Sequence, residues 1–162
     1  MPEPSSFAFT TYFDERKNVL VNEVRVAAAY TPVEGSPAPI FEEYEAIWDT
    51  GATRTVITRR VVEDCNLKAI GMSRVRGVND VRSAEAYLIN ILLLNDVEFG
   101  NLRVIGTERL SGGADVLIGM DIIGAGDFAV SNYQGRTMFT FRCPSQERID
   151  FLPPEERPPE YR

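Results

Sequence analysis

The feature that most restricts this chain is its density of short β-forming runs, rich in Val, Ile, Phe, Tyr and Thr and separated by Gly, Pro or Asn. Ten runs fit that description: 7–13, 19–31, 41–48, 55–58, 73–78, 81–94, 97–107, 116–118, 128–131 and 137–142. Helical signals are brief. Thr58 followed by residues 59–65 reads as a short capped helix, and residues 120–125 as another turn or two before Gly126. Neither is long enough to build an alternating βαβ unit, so a mainly β fold with one or two short helices is predicted. Alternation from Val24 onward marks an outer strand, whereas the nearly continuous apolar run 89–94 marks a central one. Residues 32–39, Pro-Val-Glu-Gly-Ser-Pro-Ala-Pro, read as an exposed loop.

At 162 residues the chain has the size of one domain, and 44% apolar content suffices for a sizeable core. The predicted domain spans 1–143. From Pro144 to residue 162 the sequence holds five of the ten prolines and a dense mix of charges, and reads as an extended tail. A net charge of −7 with scattered arginines opposes a phosphate backbone, so no nucleic-acid partner is expected. The N-terminal residues lack a basic region followed by an apolar one, and the longest apolar stretch, 87–94, is too short to span a bilayer. No membrane association is expected. Cys65 and Cys143 lie far apart and outside any metal-spaced pair, as reduced cytoplasmic thiols would.

The chain has no histidine. A Ser-His-Asp or Cys-His nucleophile system is therefore excluded within it, as is a histidine-based zinc site, and neither metal nor cofactor is expected. Acid-base chemistry would fall to carboxylates. The informative stretch is Ile47-Trp48-Asp49-Thr50-Gly51-Ala52, an apolar strand running straight into Asp-Thr-Gly. Alone, Asp-Thr-Gly is also an ordinary turn sequence. Here its apolar surroundings imply a partly desolvated carboxylate, and Val116-Leu117-Ile118-Gly119 supplies a second buried strand ending at a glycine.

Together these motifs resemble the retropepsin-like aspartic proteases, single-domain relatives of pepsin found in retroviruses and also encoded by bacteria. The resemblance covers about 41–131 and implies a closed or partly open β-barrel of the acid-protease type. Ile47 to Ala52 matches the active-site loop, and Leu117-Ile118-Gly119 matches the apolar-apolar-Gly strand that crosses behind it. A flap hairpin would fall at 71–85, with Gly77 as its tip. Retroviral members place an Asp-Arg pair where this chain has Thr53 and Met120, and Arg54 and Asp121, one position away, are the available substitutes.

Peptide hydrolysis by this chemistry uses two carboxylates sharing a proton: one takes a proton from water while the other hydrogen-bonds the scissile carbonyl. The sequence has one Asp-Thr-Gly and no Asp-Ser-Gly. The dyad would then be Asp49 from each subunit of a homodimer, as the resemblance also implies. Thr50 would donate its hydroxyl across the two-fold axis, and Gly51 would admit the substrate backbone. Ala52 cannot hydrogen-bond the carboxylate as a serine would, which places the expected activity at mildly acidic to near-neutral pH. Gly119 would let the crossing strand pack closely. Gly51, Thr53, Gly77, Val78 and Ile118 are expected to contact an extended peptide or protein substrate. Trp48 is read as core, and 137–142 as an interface strand. The second reading is a catalytically weak or inactive dimer that binds peptides or serves assembly; a third is a β-barrel in which Asp-Thr-Gly is only a turn.

Overall fold

The computed structural model describes residues 7–76 and 80–161. Among them lie strands β1 (Ala8–Tyr12), β2 (Leu20–Ala28), β3 (Glu42–Trp48) and β4 (Val56–Thr58), then helix α1 (Arg59–Asp64). These are followed by β5 (Gly71–Arg76), β6 (Val81–Leu92), β7 (Glu98–Thr107), β8 (Val116–Ile118), helix α2 (Met120–Ile123), β9 (Asp127–Ser131) and β10 (Met138–Arg142). The strand boundaries fall close to those read from sequence. Period-two burial explains why: in β3, Tyr44, Ala46 and Trp48 are buried while Glu43 and Glu45 face solvent.

Six strands close a barrel in the order β2-β3-β8-β4-β7-β6, and β6 returns to β2 through the pairs from Arg25↔Leu92 to Ala28↔Ile89. Closure removes the unpaired edges that an open sheet would expose. It also corrects the outer-strand expectation for β2, which keeps a solvent face but is hydrogen-bonded on both sides. β6 is central as expected. A register shift between Ile89 and Ile91 bends it, and buried Asn90 satisfies its amide there by donating to Glu98 Oε1 and accepting from Asn101 N. Among the described residues, 81–85 of β6 extend beyond the ring and pair only with β5, so Gly71–Arg76 and Val81–Ala86 form the two antiparallel arms of a hairpin with Arg76 opposite Val81.

A second sheet, β1-β10-β9, packs its aromatic side chains against the barrel. Trp48 sits among them, stacked on Phe128 at 5.7 Å and 4° and within 5.6 Å of Phe9, Phe139 and Phe141, with its Nε1 donating to Asn22 Oδ1. It is a core residue whose polar atom is satisfied. β10 lies between β1 and β9, both of its edges are occupied, and Phe139 and Phe141 are fully buried. The expected interface strand is therefore the centre of an intramolecular sheet.

No residue from 144 to 161 is buried. This segment is less extended than its composition suggested: Pro154–Glu156 and Pro159–Tyr161 form single helical turns, with proline favoured at a helix start because its nitrogen lacks a hydrogen to satisfy. Asp127, on β9, holds the start of the tail. Its carboxylate accepts from Gln146 N, Glu147 N, Ser145 Oγ and Arg142. Those backbone amides, Gln146 first, then the Ser145 hydroxyl and the Arg142 guanidinium, hold its pKa well below the usual carboxyl range. Among the described residues no helix is long and apolar enough to cross a membrane.

Candidate active site

β3 and β8 run parallel with Trp48 opposite Ile118, so Asp49 and Gly119, the residues that follow, emerge side by side. The Asp49 N–H donates to Ile118 O at 3.0 Å, and Ala52 N to Asp49 O at 3.2 Å, which closes a turn over 49–52. Within that turn the Gly51 N–H donates to Asp49 Oδ1 at 2.8 Å. Oδ2 has no hydrogen-bond partner among the described residues. Asp49 is half-buried, whereas Thr50, Gly51 and Thr53 are exposed and Ala52 is half-buried. The carboxylate is thus fixed at one oxygen and open at the other.

The loop is locked from behind. An ideal Cβ on Gly119 would lie 2.6 Å from the carbonyl carbon and 2.9 Å from the nitrogen of Arg54, too close for any side chain. Met120 N donates to Ala52 O at 2.8 Å. Asp121 completes the lock: its two oxygens accept from Thr55 N and Thr55 Oγ1, both at 2.8 Å, and the Gly119 N–H donates to the same hydroxyl at 3.3 Å. Thr55 is fully buried, and its hydrogen bonds replace those it would make to water. Asp121 therefore serves the loop through Thr55 and forms no ion pair with Arg54 of its own chain. The signal for Thr55 was present, as a polar residue opening a buried β run, but its partner lies 66 positions away.

Two other expectations change. Ile118 is fully buried, because alternation along β8 turns Val116 and Ile118 inward and leaves Leu117 half-exposed, so the Ile118 side chain belongs to the core and cannot touch a substrate. Gly77 and Val78 lie outside the described residues, although the strands that flank them form the hairpin expected at 71–85. Other aspartates near the barrel are engaged elsewhere: Asp64 by the Tyr44 hydroxyl and Arg60, Asp115 by Thr58 Oγ1 and Arg60, Asp80 by Arg82, Asp96 by Arg25. Thr58 accordingly does not cap α1 with its side chain. Burial pushes both cysteine thiols up, away from the thiolate form a nucleophile needs.

A cleft of about 790 Å³ opens between the β5–β6 hairpin, α1 and the end of β7. Val56, Val75, Tyr87, Ile105 and Leu110 form its apolar lining. Asp49 does not line it, but Val56 begins the strand that follows the Asp49 loop.

A closed β-barrel that sets one Asp-Thr-Gly loop against a glycine-ended strand defines the aspartic-protease class of site. The sequence profile described as aspartyl protease matches residues 33–122, more than half of the chain, and the chain belongs to that family. Among solved structures it is similar to a retropepsin-like aspartic protease from Rickettsia conorii (10% identity over 88% of this chain and 99% of that one, TM-score 0.48). It is also similar to the simian foamy virus protease (15% identity, 64% and 92%, TM-score 0.39). A third similar structure is the retroviral protease-like domain of Ddi1 from Leishmania major (18% identity, 63% and 74%, TM-score 0.35). No curated protein matches the chain.

Proposed function

We propose that this protein is an aspartic endopeptidase whose active site is completed by a second copy of the chain. The observation that carries the reading is the Asp49 carboxylate, rigidly placed by Gly51 and the Gly119 crossing yet open at Oδ2. A single carboxylate cannot both deprotonate water and donate a hydrogen bond to the scissile carbonyl. The sequence holds no second Asp-Thr-Gly and no Asp-Ser-Gly, so the second carboxylate is Asp49 of another subunit across a two-fold axis. The exposed Thr50 hydroxyl, which has no hydrogen-bond partner among the described residues, is then available to that subunit. An extended peptide would lie between the loop and the β5–β6 hairpin. The family to which the chain belongs supports the same chemistry.

Asp49→Asn tests this directly. The variant should retain its fold and self-association while losing about 10²–10⁴-fold or more of the cleavage rate on an unbiased peptide library, the usual contribution of a positioned acid-base group. Retained cleavage would refute the assignment.

A further inference from the structure

The cleft under the β5–β6 hairpin has an unbalanced charge. Its lining carries Arg59 and Arg82 against Glu63, Asp80, Glu85 and Glu108, a net charge of −2. The two arginines are already occupied. Arg59 Nε bonds Glu63 Oε1 at 2.8 Å and its Nη1 lies 3.6 Å from Glu108, while Arg82 pairs with Asp80. Glu85 has no cationic partner among the described residues; its Oε2 accepts only from the Tyr87 hydroxyl, at 2.7 Å. The carboxylate stands at the wall of a cleft whose floor is apolar.

That floor is built by a specific contact. Tyr87 is buried, and its ring lies over Gly106, where an ideal Cβ would come within 2.7 Å of Tyr87 Cε2. The glycine leaves room for the ring, which lines the cleft together with Val56 and Ile105, and the ring's hydroxyl donates to Glu85. Burial, followed by the Glu85 carboxylate, pushes the Tyr87 pKa up to about 12, so the hydroxyl remains a donor at any working pH. An occupant therefore meets an apolar platform beside a carboxylate whose charge is not neutralised.

We propose that this cleft binds a segment of an extended peptide in which an apolar side chain rests on Tyr87 and a neighbouring lysine or arginine pairs with Glu85, making Glu85 a specificity-determining residue. Charge complementarity singles out this occupant. An acidic segment would meet Glu85 and Glu108 with like charge, and a wholly apolar one would cover Glu85 without a counter-ion. The proposal takes the occupant to be substrate and so rests on the endopeptidase reading.

The test separates the two. Fluorescent octapeptides identical except for Lys, Ala or Glu at one position beside an apolar residue are titrated onto the full-length Asp49→Asn protein, which binds without cleaving. The same set is offered to the wild type for cleavage. The Lys peptide should bind about three- to five-fold tighter than the Ala peptide at low salt, the range of a partly exposed ion pair, with the advantage shrinking as salt rises. Glu85→Gln should abolish the preference and Glu85→Lys should reverse it in favour of the Glu peptide. Equal binding of all three peptides, or a preference unchanged by Glu85→Lys, would overturn the proposal. Selective binding with no wild-type cleavage of any peptide would uphold the cleft assignment and refute the endopeptidase reading; cleavage indifferent to Lys would do the opposite.

Discussion

The Asp49 loop and the β5–β6 hairpin leave the same barrel on opposite terms. The loop is gripped from both sides: Gly119 closes on Arg54, Asp121 bonds Thr55 twice, and Trp48 anchors the preceding strand in an aromatic cluster. The hairpin is held from one side. Among the described residues β5 pairs with β6 alone, its further hydrogen bonds are those from Arg103 to Ser73 and Met72, and Met72 and Val81 are each 60% exposed. In the proposed endopeptidase the carboxylate must be positioned before substrate arrives and the hairpin must open and close over it, which is the division of packing that the two regions display.

Damage to the gripped region should therefore be costly. Trp48→Ala removes the ring that four phenylalanines surround and should lower unfolding free energy by about 3–5 kcal/mol in denaturant titrations. Asp121→Ala leaves the buried Thr55 amide and hydroxyl without an acceptor and should cost about 2–4 kcal/mol; Asp121→Asn, which keeps one acceptor oxygen, should recover part of that. Both would erase the contrast if the losses proved small.

In the hairpin the same measurement should barely respond. Met72→Ser or Val81→Ser should change stability by no more than about 0.5 kcal/mol, since neither removes buried packing. Amide exchange should be faster along β5 than along β3. Slow exchange in β5 would show that the hairpin is as firmly held as the loop.

The smallest effect concerns the tail. Asp127 has a depressed folded-state pKa, so its contribution is whole well above the unfolded carboxyl value near ~3.9, declines as pH falls below it, and is lost once pH drops through the folded value. Protection of the Gln146 and Glu147 amides, taken relative to intrinsic exchange at each pH, should thus hold at pH 5 and fall only in stronger acid. In Asp127→Asn it should be lower throughout. A loss of protection on acidification already near pH 6 would mean that another group controls the tail.

What the sequence made legible follows the range of the interactions involved. Strands appeared because period-two burial and Gly or Pro breaks are local, and the Asp49 loop because its motif is contiguous. The hairpin could be placed because its two strands adjoin. The pairing of β2 with β6 could not, since it joins Arg25 to Leu92, and alternation alone reads as an outer strand. The same limit misassigned 137–142: only the folded sheet shows β1 and β9 already at its edges. The Thr55–Asp121 lock and the burial of Ile118 likewise depend on which chain segments meet.

The central claim, that two copies of Asp49 share one active site, is tested most directly by mixing chains. Wild-type protein refolded with about a nine-fold excess of Asp49→Asn should retain about one-tenth of its activity, because random pairing leaves few dimers with both aspartates. Wild-type activity that is unchanged by the excess would contradict a dyad built from two subunits.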